Sequence, residues 1–353
     1  MRFADNRNKI GKYIPAVVFL IFIYGMALWF IFSPKPDYSS SEKRYLQKFP
    51  EVTAEKLLSG DFGSEFETFF ADRFPQRNTW VGLNAYTALA EGNNGASGVY
   101  NCKNGYLINK PVSTENNLDK NIGAVADFAK SIDTPTTVML VPSTGYIVDD
   151  VLPTFHDKYN DDEDISKISS TLSKDKIGFV DLRERFKSEY KNGSQLYYKT
   201  DHHWTTKGAY TGYQELCKAL GITPIDDSTL KKDSYPDFYG TTYSSSGFWL
   251  TPPDNIEIWN NPKNSDRNIS VKITEGANIK TSGSMYFTDH LKEDDKYPVF
   301  IDGNHALTEI TNTNAKNGTI LLIKDSFSHS LAPFLAENYS KVVLVDLRYY
   351  KES

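Results

Sequence analysis

The 353-residue sequence has only two cysteines, Cys102 and Cys217. Two thiols are too few for a disulfide framework or a cysteine-rich zinc site, although they leave a single disulfide open. The sequence also lacks an excess of positive charge, since 39 Lys and Arg against 45 Asp and Glu give a net charge of −6. A general nucleic-acid binder, whose surface must neutralise phosphates, is therefore not expected. Repeats and low-complexity tracts are absent, and a hydrophobic content of 39% excludes a disordered chain.

One long apolar run lies near the N-terminus. Residues 14–32 read IPAVVFLIFIYGMALWFIF, a stretch without a charged residue, which nearly spans a hydrocarbon core of about 30 Å. The basic residues Arg2, Arg7, Lys9 and Lys12 outnumber the acidic Asp5 in front of it, so we expect residues 1–13 to form a cytoplasmic tail. No small-x-small cleavage site follows, which favours an uncleaved transmembrane signal anchor over the alternative of a cleaved signal.

The remainder of the chain is expected outside the cytoplasm, held at the cell membrane by this single span. We predict a polar linker over residues 33–52 and one extracytoplasmic domain over residues 53–353. The N-terminal tail contributes +3 to the net charge, which leaves −9 for residues 33–353. The working part of the protein is therefore acidic.

The hydrophobic pattern predicts an α/β fold. Four phenylalanines at helical spacing (62, 66, 69 and 70) predict a helix that ends at Pro75, followed by a second helix over about 78–91 and a hairpin over 98–110. Apolar strands at 136–141, 177–181, 319–324 and 341–346 then alternate with helices near 118–129, 162–173, 182–190, 206–220 and 328–338. This alternation predicts a parallel sheet with helices on both faces. Residues 221–316 do not share the pattern and are predicted to be a loop-rich insertion over the edge of the sheet.

The string Asp201-His202-His203-Trp204, just before the helix predicted at 206, is the first candidate site. An aspartate two positions from a histidine can orient its ring, as catalytic triads require. Two alternatives remain: a metal held by His202 and His203, and a structural turn in which Asp201 or Thr205 caps the helix. Because adjacent side chains point in different directions and no further ligand cluster is visible, we expect no metal.

A serine nucleophile is expected where a strand ends and a helix begins, because the N-terminus of the helix supplies N–H groups for an oxyanion. Ser326 follows the strand TILLIK and precedes the helix at 328, at the edge of the sheet where open α/β folds bind ligands. Its alternative role is that of a helix cap. Ser143, which follows the strand TTVMLV, is the rival nucleophile, with a strand-end turn as its alternative role.

Several sequence blocks occur in a fixed order along the chain. They are GDF, FE and FADRFPQR within residues 60–77, KNGYL at 103–107, VPSTGY at 141–146, DHHW at 201–204, YPVFIDGNH at 297–305, KDS at 324–326 and VDLRYY at 345–350. Each block is a weak signal, but the ordered set resembles the DHHW family, relatives of the alginate O-acetyltransferases within the SGNH-hydrolase-like superfamily.

The resemblance implies a fold and a set of roles. The fold would be the SGNH-hydrolase-like α/β sheet, with an N-terminal helical pair. Ser326 would attack as the nucleophile, His203 would act as its base, and Asp201 would orient His203. The oxyanion donors would be the Phe327 N–H group together with the Gly303 N–H group or, as the alternative, the Asn304 side chain. The resemblance implies no cofactor.

The function implied by the resemblance is O-acetylation of an extracellular polysaccharide through an acetyl-enzyme. Acetyl donors such as acetyl-CoA are cytoplasmic, so we expect a multi-spanning membrane acyltransferase as the partner that supplies acetyl. Tyr243, Trp249 and Arg348 are candidate substrate contacts, with ordinary packing as the alternative for the aromatic rings. Two other functions remain open: an acetyl-polysaccharide esterase with the same triad, and a non-catalytic glycan-binding factor of the cell envelope.

Overall fold

The computed structural model describes residues 2–112, 117–175 and 177–351. Its internal contacts form two units, residues 1–84 and residues 85–353. The first unit contains a long helix, a short two-stranded sheet and further helices, the last of which continues into the second unit. These elements are α1 (Arg2–Phe32), β1 (Tyr38–Ser39), β2 (Arg44–Tyr45), α2 (Ala54–Ser59), α3 (Asp61–Asp72) and α4 (Arg77–Ala90).

Helix α1 carries the long apolar run. Its segment Lys12–Phe32 is long and apolar enough to cross a membrane, and none of it is buried inside the protein. By length and composition it is apolar enough to serve as a membrane anchor or a signal sequence. Phe30, near its end, packs against Phe69 and Phe70 of α3 with ring centroids 6.2 and 4.7 Å apart.

The segment predicted as a polar linker is tied to α3. The buried carboxylate of Asp72 accepts two hydrogen bonds from the Arg44 guanidinium, at 2.9 and 2.6 Å, and a third from the Gln47 backbone N–H at 2.9 Å. Arg73 in turn donates to the carbonyl oxygens of Pro36 and Gln47. These bonds give residues 36–47 a defined path along α3, whereas a polar composition alone predicts a flexible spacer.

The second unit is mixed α/β. Its first half contains β3 (Gly95–Ala96), β4 (Val99–Asn101), β5 (Leu107–Asn109), α5 (Leu118–Ser131), β6 (Thr137–Leu140), α6 (Thr144–Ile147), α7 (Asp161–Lys174), β7 (Gly178–Asp181), α8 (Arg183–Lys191) and α9 (Thr206–Leu220). Its second half contains β8 (Lys231–Phe238), α10 (Thr241–Ser246), β9 (Asp254–Asn260), β10 (Ile269–Glu275), β11 (Asn278–Ser282), β12 (Leu307–Asn312), β13 (Asn317–Ile323), α11 (Ser328–Leu335) and β14 (Tyr339–Val345).

The largest sheet differs from the predicted parallel one. Its five strands are ordered β11-β10-β12-β14-β13, and only the β13–β14 pair is parallel. The strands β6 and β7 form a separate parallel pair, β8 and β9 an antiparallel pair, and β3, β4 and β5 an antiparallel sheet. The mixed α/β class is therefore confirmed, whereas the single parallel sheet is not what the described residues form.

Part of the region 221–316 builds the five-stranded sheet, which differs from the predicted loop-rich insertion over its edge. Strands β10 and β12 come from this region, and β12 lies between β10 and β14. In β10, Ile269, Val271 and Ile273 are buried while the intervening Ser270 and Lys272 are exposed. This period of two is the signature of a strand with one buried face. The many Asn, Asp and Ser residues around it obscure that signal in the sequence.

Helix α9 positions the candidate site. It begins at Thr205, whose hydroxyl accepts the Gly208 N–H at 3.1 Å, as N-cap residues do. Its apolar face is buried, and Trp204 packs against it. A β-carbon at Gly212 would lie 2.8 Å from the Trp204 ring, so glycine at this position lets the indole reach the helix.

Candidate active site

The DHHW string lies in a tight loop that precedes α9. The Tyr198 N–H donates to the His203 carbonyl oxygen at 3.2 Å, and Tyr197 and Trp204 form an antiparallel bridge. The loop between these contacts presents Asp201, His202 and His203 at its tip. Asp201 and His203 are buried, and Trp204 is fully buried.

Asp254 holds the residues directly before this loop in place through hydrogen bonds. Its buried carboxylate accepts the Thr200 N–H at 2.8 Å, the Thr200 hydroxyl at 2.7 Å and the Lys199 N–H at 3.0 Å. The Gln195 amide donates to the same carboxylate at 3.0 Å. Four donors on one carboxylate hold the backbone directly before Asp201 in one conformation.

Ser326 lies in the turn between β13 and α11. The Lys324 N–H donates to the Val345 carbonyl oxygen at 3.0 Å, which extends the β13–β14 ladder almost to the serine. The Asp325 side chain accepts the Phe327 N–H at 3.0 Å, and the Ser326 carbonyl oxygen accepts the His329 N–H at 3.2 Å. The strand therefore delivers Ser326 to the start of the helix, as the sequence predicts.

The two segments bring Ser326, His203 and Asp201 together. The Ser326 hydroxyl lies 2.8 Å from His203 Nε2, and His203 Nδ1 lies 2.7 Å from Asp201 Oδ2. Because a carboxylate only accepts, Nδ1 carries the proton, and Nε2 is left to accept from the serine hydroxyl. Both distances fall within the hydrogen-bond range expected of a nucleophile, a base and an orienting group.

The electrostatics suit a neutral imidazole facing a charged carboxylate. Burial, together with the nearby charge of His202, lowers the pKa of His203 below its ordinary value despite the opposing effect of Asp201, so the neutral ring predominates at neutral pH. Burial opposes the ionisation of Asp201, yet the charges and hydrogen bonds of the two histidines hold its pKa well below the ordinary value. A neutral His203 is the form that accepts a proton from a serine.

The second oxygen of Asp201 is satisfied by the start of α10. Asp201 Oδ1 accepts the Thr241 N–H at 2.9 Å and the Thr241 hydroxyl at 2.6 Å. Gly240 makes this approach sterically allowed, since a β-carbon there would lie 2.0 Å from the Asp201 β-carbon. The carboxylate is therefore fixed in position and rotation by an element that lies about 40 residues further along the chain.

His202 belongs to the same cluster as Asp201 and His203. Its ring lies 3.8 Å from the His203 ring, centroid to centroid. Its Nδ1 donates to the Thr241 hydroxyl at 2.6 Å and lies 3.3 Å from Asp201 Oδ1. One carboxylate thus serves two imidazoles, of which only His203 contacts Ser326 among the described residues.

Two aromatic rings form the walls around His203. The Tyr297 ring stacks on the imidazole, with centroids 4.0 Å apart and an interplanar angle of 13°. Its hydroxyl donates to the Ser326 carbonyl oxygen at 3.2 Å. The Phe327 ring also contacts the imidazole, with centroids 5.0 Å apart and the ring planes tilted by 55°. The two rings confine the imidazole to the plane in which it meets both Ser326 and Asp201.

Two of the three predicted oxyanion donors, the N–H groups of Phe327 and Gly303, are engaged elsewhere in this structure. The Phe327 N–H donates to Asp325 Oδ1, and the Gly303 N–H donates to the Phe300 carbonyl oxygen at 3.1 Å. The Asn304 side chain accepts from Arg348 at 3.2 Å. Phe327 borders the site, whereas no contact of Gly303 or Asn304 with Ser326 or His203 occurs in the described part of the chain. Their role as oxyanion donors stays a prediction.

The predicted substrate contacts fall into two groups. Tyr243 lies next to the DHHW loop, since its N–H donates to the Thr200 carbonyl oxygen at 2.9 Å. Its ring packs on Tyr239 and Trp249 at 4.3 and 5.2 Å, and all three are half-buried. Arg348, by contrast, is bonded to Asp346 and Asn304, so part of its guanidinium is occupied by the protein itself.

Ser143, the rival nucleophile, is placed apart from the imidazoles. It precedes α6, and its N–H donates to Asp161 Oδ1 at 2.6 Å. No histidine contact involves Ser143 within residues 2–112, 117–175 and 177–351. Its surroundings fit the strand-end turn that the sequence left open as its alternative role.

The metal alternative rests on the same three residues. Ligand atoms of Asp201, His202 and His203 lie within 4.8 Å of one another. However, both nitrogens of His203 and the Nδ1 of His202 already have hydrogen-bond partners in the cluster. A metal ion would have to displace the Ser326 hydroxyl or the Asp201 carboxylate from His203. These side chains therefore fit the Ser326–His203–Asp201 hydrogen-bond series better than they fit a metal site.

Sequence reasoning missed several residues that shape the site. Tyr297 occurs in a quoted sequence block but has no local signal for stacking on a histidine. Gly240, Thr241 and Asp254 lie in the stretch interpreted as an insertion, and each acts through contacts 39 or more residues away. The glycine before Thr241 is the one local signal among these residues, because glycine allows another segment to approach the backbone closely.

The fold and the site thus describe a mixed α/β protein in which a half-buried serine at a strand-to-helix junction is hydrogen-bonded to a buried histidine, and that histidine to a buried aspartate. The family model described as DHHW protein matches residues 112–345, well over half of the chain. The chain therefore belongs to the DHHW protein family, and the predicted membership is confirmed.

Two solved structures share the fold. A DHHW family protein from Eubacterium siraeum is 19% identical with a TM-score of 0.59, covering 73% of this chain and 85% of that chain. PatB1 from Bacillus cereus, in a structure with a sulfonyl adduct, is 20% identical with a TM-score of 0.58, covering 72% of this chain and 87% of that chain. At such identities the likeness establishes the fold alone. No curated protein matches the chain.

Proposed function

We propose that this chain is a polysaccharide O-acetyltransferase that works through an acetyl-enzyme on Ser326. The observation that carries the proposal is the contact of the Ser326 hydroxyl with His203 Nε2 at 2.8 Å, while Asp201 holds the opposite ring nitrogen at 2.7 Å. Serine is a weak nucleophile unless a neighbouring base takes its proton, and this geometry supplies the base.

In the first half of the reaction His203 takes the hydroxyl proton as the Ser326 oxygen attacks the acetyl carbonyl. The bond between the acetyl group and its donor then breaks, and His203 returns the proton to the leaving group. The product is acetyl-Ser326. Asp201 remains ionised throughout and stabilises the imidazolium that forms between the two proton transfers.

In the second half a sugar hydroxyl takes the place of the leaving group. His203 Nε2 accepts its proton, the sugar oxygen attacks the acetyl carbonyl, and the ester bond to Ser326 breaks. The proton goes back to the Ser326 oxygen. The serine is regenerated, and the sugar carries the acetyl ester.

The oxyanion of each tetrahedral intermediate needs N–H donors. The backbone N–H of Ser326 lies at the start of α11 and has no acceptor among the described residues, unlike that of Phe327. A nucleophile's own N–H is one of the donors in serine hydrolases. We assign the first donor position to Ser326 and keep Gly303 and Asn304 as candidates for the second.

The location and the partners are part of the proposal. Helix α1 would act as a membrane anchor with the site on the outer side, where polysaccharides are assembled. A multi-spanning membrane acyltransferase would supply the acetyl group from the cytoplasm. Tyr243 and Trp249 would offer ring faces to the sugar, because both are partly exposed, Tyr243 lies on α10 next to Asp201, and the Trp249 ring packs against Tyr243.

The test is turnover of p-nitrophenyl acetate by the full chain in detergent, with cellopentaose and an oligomannuronate as acceptors. We expect release of p-nitrophenol, acetylated oligosaccharide as a product, and loss of both on Ser326→Ala. Ser143→Ala, at a strand-end serine without a histidine contact, is the matched control and should retain activity. Free acetate as the only product identifies an esterase, and activity that survives Ser326→Ala contradicts the proposal.

A further inference from the structure

A buried charged cluster lies directly behind the Ser326 turn. The Lys324 ammonium donates to His329 Nε2 at 2.8 Å and to Asp346 Oδ2 at 3.1 Å. The side chains of Lys324 and Asp346 are only 3% and 1% exposed. His329 is buried as well. Burying a lysine carries a large desolvation cost, so the contacts that this ammonium makes need a physical reason.

The three partners belong to three different elements around the serine. Lys324 follows the last residue of β13, two positions before Ser326. Asp346 follows the last residue of β14, and His329 lies in the first turn of α11, three positions after Ser326. The ammonium therefore connects both sides of the turn to the neighbouring strand.

His329 shows that the contact with Lys324 determines the orientation of the ring. Since an ammonium has no acceptor site, Nε2 accepts, and the ring proton lies on Nδ1. That Nδ1 is buried and has no hydrogen-bond partner within the described residues. Burial and the adjacent ammonium hold the pKa of His329 well below its ordinary value, so the ring stays neutral and keeps accepting.

We propose that Lys324 is the positioning residue of Ser326, fixing the turn that carries the nucleophile by binding α11 and the end of β14 simultaneously. This inference rests on the proposed function of Ser326. Lys324 touches neither the hydroxyl nor His203, so it acts only through the backbone of residues 325–329. Its loss would let Ser326 drift from His203 Nε2 while leaving substrate contacts unchanged.

The structure offers a suitable variant in Lys324→Met. Methionine is close to lysine in length and apolar, so it fits a buried position. Asp346 would remain paired, because Arg348 donates to both of its carboxylate oxygens, at 2.9 and 2.6 Å. The variant therefore leaves no uncompensated buried charge. Lys341→Met is the matched control, since Lys341 lies on β14 and forms a half-exposed ion pair with Glu309.

The experiment measures KM, kcat and the rate of serine labelling by a sulfonyl fluoride. The kcat value is normalised to the titrated fraction of reactive Ser326. A displacement of the order of 1 Å costs about 100-fold in rate. For Lys324→Met we therefore expect kcat and the labelling rate to fall together by about that factor with an unchanged KM. The acid limb of the pH profile should not move, because His203 is untouched. Adding His329→Leu to Lys324→Met should cause no further loss of kcat, since both substitutions remove the same Lys324–His329 hydrogen bond.

A different result overturns the inference. If fewer serines are labelled but each retains the wild-type kcat, Lys324 contributes only to folding. Amide hydrogen exchange of residues 325–329 provides a readout that does not depend on catalysis. Faster exchange confined to these residues in Lys324→Met supports the positioning role, and unchanged exchange contradicts it. A wild-type chain without turnover or labelling would refute the proposed function, and the exchange result would still decide the role of Lys324.

Discussion

The indole N–H of Trp204 donates to the carbonyl oxygen of Phe327 at 3.0 Å and lies 2.9 Å from the Ser330 hydroxyl. These two contacts join the loop that carries His203 to the helix that follows Ser326. The donor and its acceptors are more than 120 positions apart in the sequence. The distance between base and nucleophile therefore depends on a fully buried tryptophan that directly follows His203 in the chain and whose side chain binds the helix after Ser326.

Replacing Trp204 by phenylalanine keeps a ring against α9 but removes the donor. The Phe327 carbonyl oxygen and the Ser330 hydroxyl would lose a buried partner, at a cost of about 1–3 kcal/mol in the free energy of unfolding. We expect a lower kcat as well, because the two loops lose their link. Denaturant unfolding and acetyl-ester kinetics measure the two effects. Wild-type values in both would show that the link has no role.

Gly240→Ala tests whether the position of Asp201 matters. The added methyl group would lie 2.0 Å from the Asp201 β-carbon, so the carboxylate or the α10 backbone must shift. We expect turnover to fall by at least about 100-fold, the cost of a displacement near 1 Å. Gly63→Ala, at a helical position with open space around the new methyl group, is the matched control. Equal activity of both variants would contradict this expectation.

Asp201→Asn preserves the shape of the side chain and removes its charge. An amide can donate to His203 Nδ1, which would favour the wrong tautomer and place a proton on the nitrogen that faces Ser326. In a serine protease the corresponding change lowers kcat about 10⁴-fold, and we expect a loss of similar size here. Steady-state kinetics with p-nitrophenyl acetate measure it. A loss below tenfold would mean that Asp201 does not orient the base.

The pH dependence follows from the two histidines. His203 must be neutral to act as a base, so activity is lost as the pH falls through its pKa. Since burial lowers that pKa, the acid limb of kcat/KM should have its midpoint below about 6.5, the ordinary value for histidine.

His202→Gln should shift the midpoint of this acid limb to higher pH. Asp201 raises the pKa of His202 despite burial, so His202 is charged in the region where the limb lies. That charge is one of the causes that lower the pKa of His203, and its removal therefore raises the midpoint. A pH profile of kcat/KM for both proteins checks the sign. A midpoint that stays in place or falls would show that His202 does not influence His203.

The sequence predicts the local parts of this structure well. The hairpin at 98–110, the helix at 206–220 and the strand before Ser326 appear within a few residues of their predicted bounds. The Asp-x-His spacing and the strand-end serine identified the three side chains that the structure brings together. Each of these features has a signal within about 15 residues of sequence: a turn, a periodic face or a motif.

Features that depend on long-range pairing were not predicted. The order of the five-stranded sheet follows from the pairing of β10 with β12 and of β12 with β14. The sequence of neither β10 nor β12 indicates which strand it pairs with. The alternation of Ile269, Val271 and Ile273 is typical of a strand, but the polar segments around it led to the prediction of a loop-rich insertion. Tyr297 and Lys324 act through contacts to the histidines and to Asp346, whose positions only the folded chain defines.

If Ser326 carries the acetyl group during turnover, that group can be trapped on the serine directly. The full chain would be mixed with p-nitrophenyl acetate, quenched rapidly in acid and digested, and the acetylated peptide identified by mass spectrometry. Pre-treatment with a sulfonyl fluoride should block the same residue. We expect acetyl on Ser326 in the wild-type chain, little acetyl in His203→Ala and none at this position in Ser326→Ala. Acetyl on Ser143, or an acetyl-Ser326 that forms equally fast without His203, would contradict the proposed mechanism.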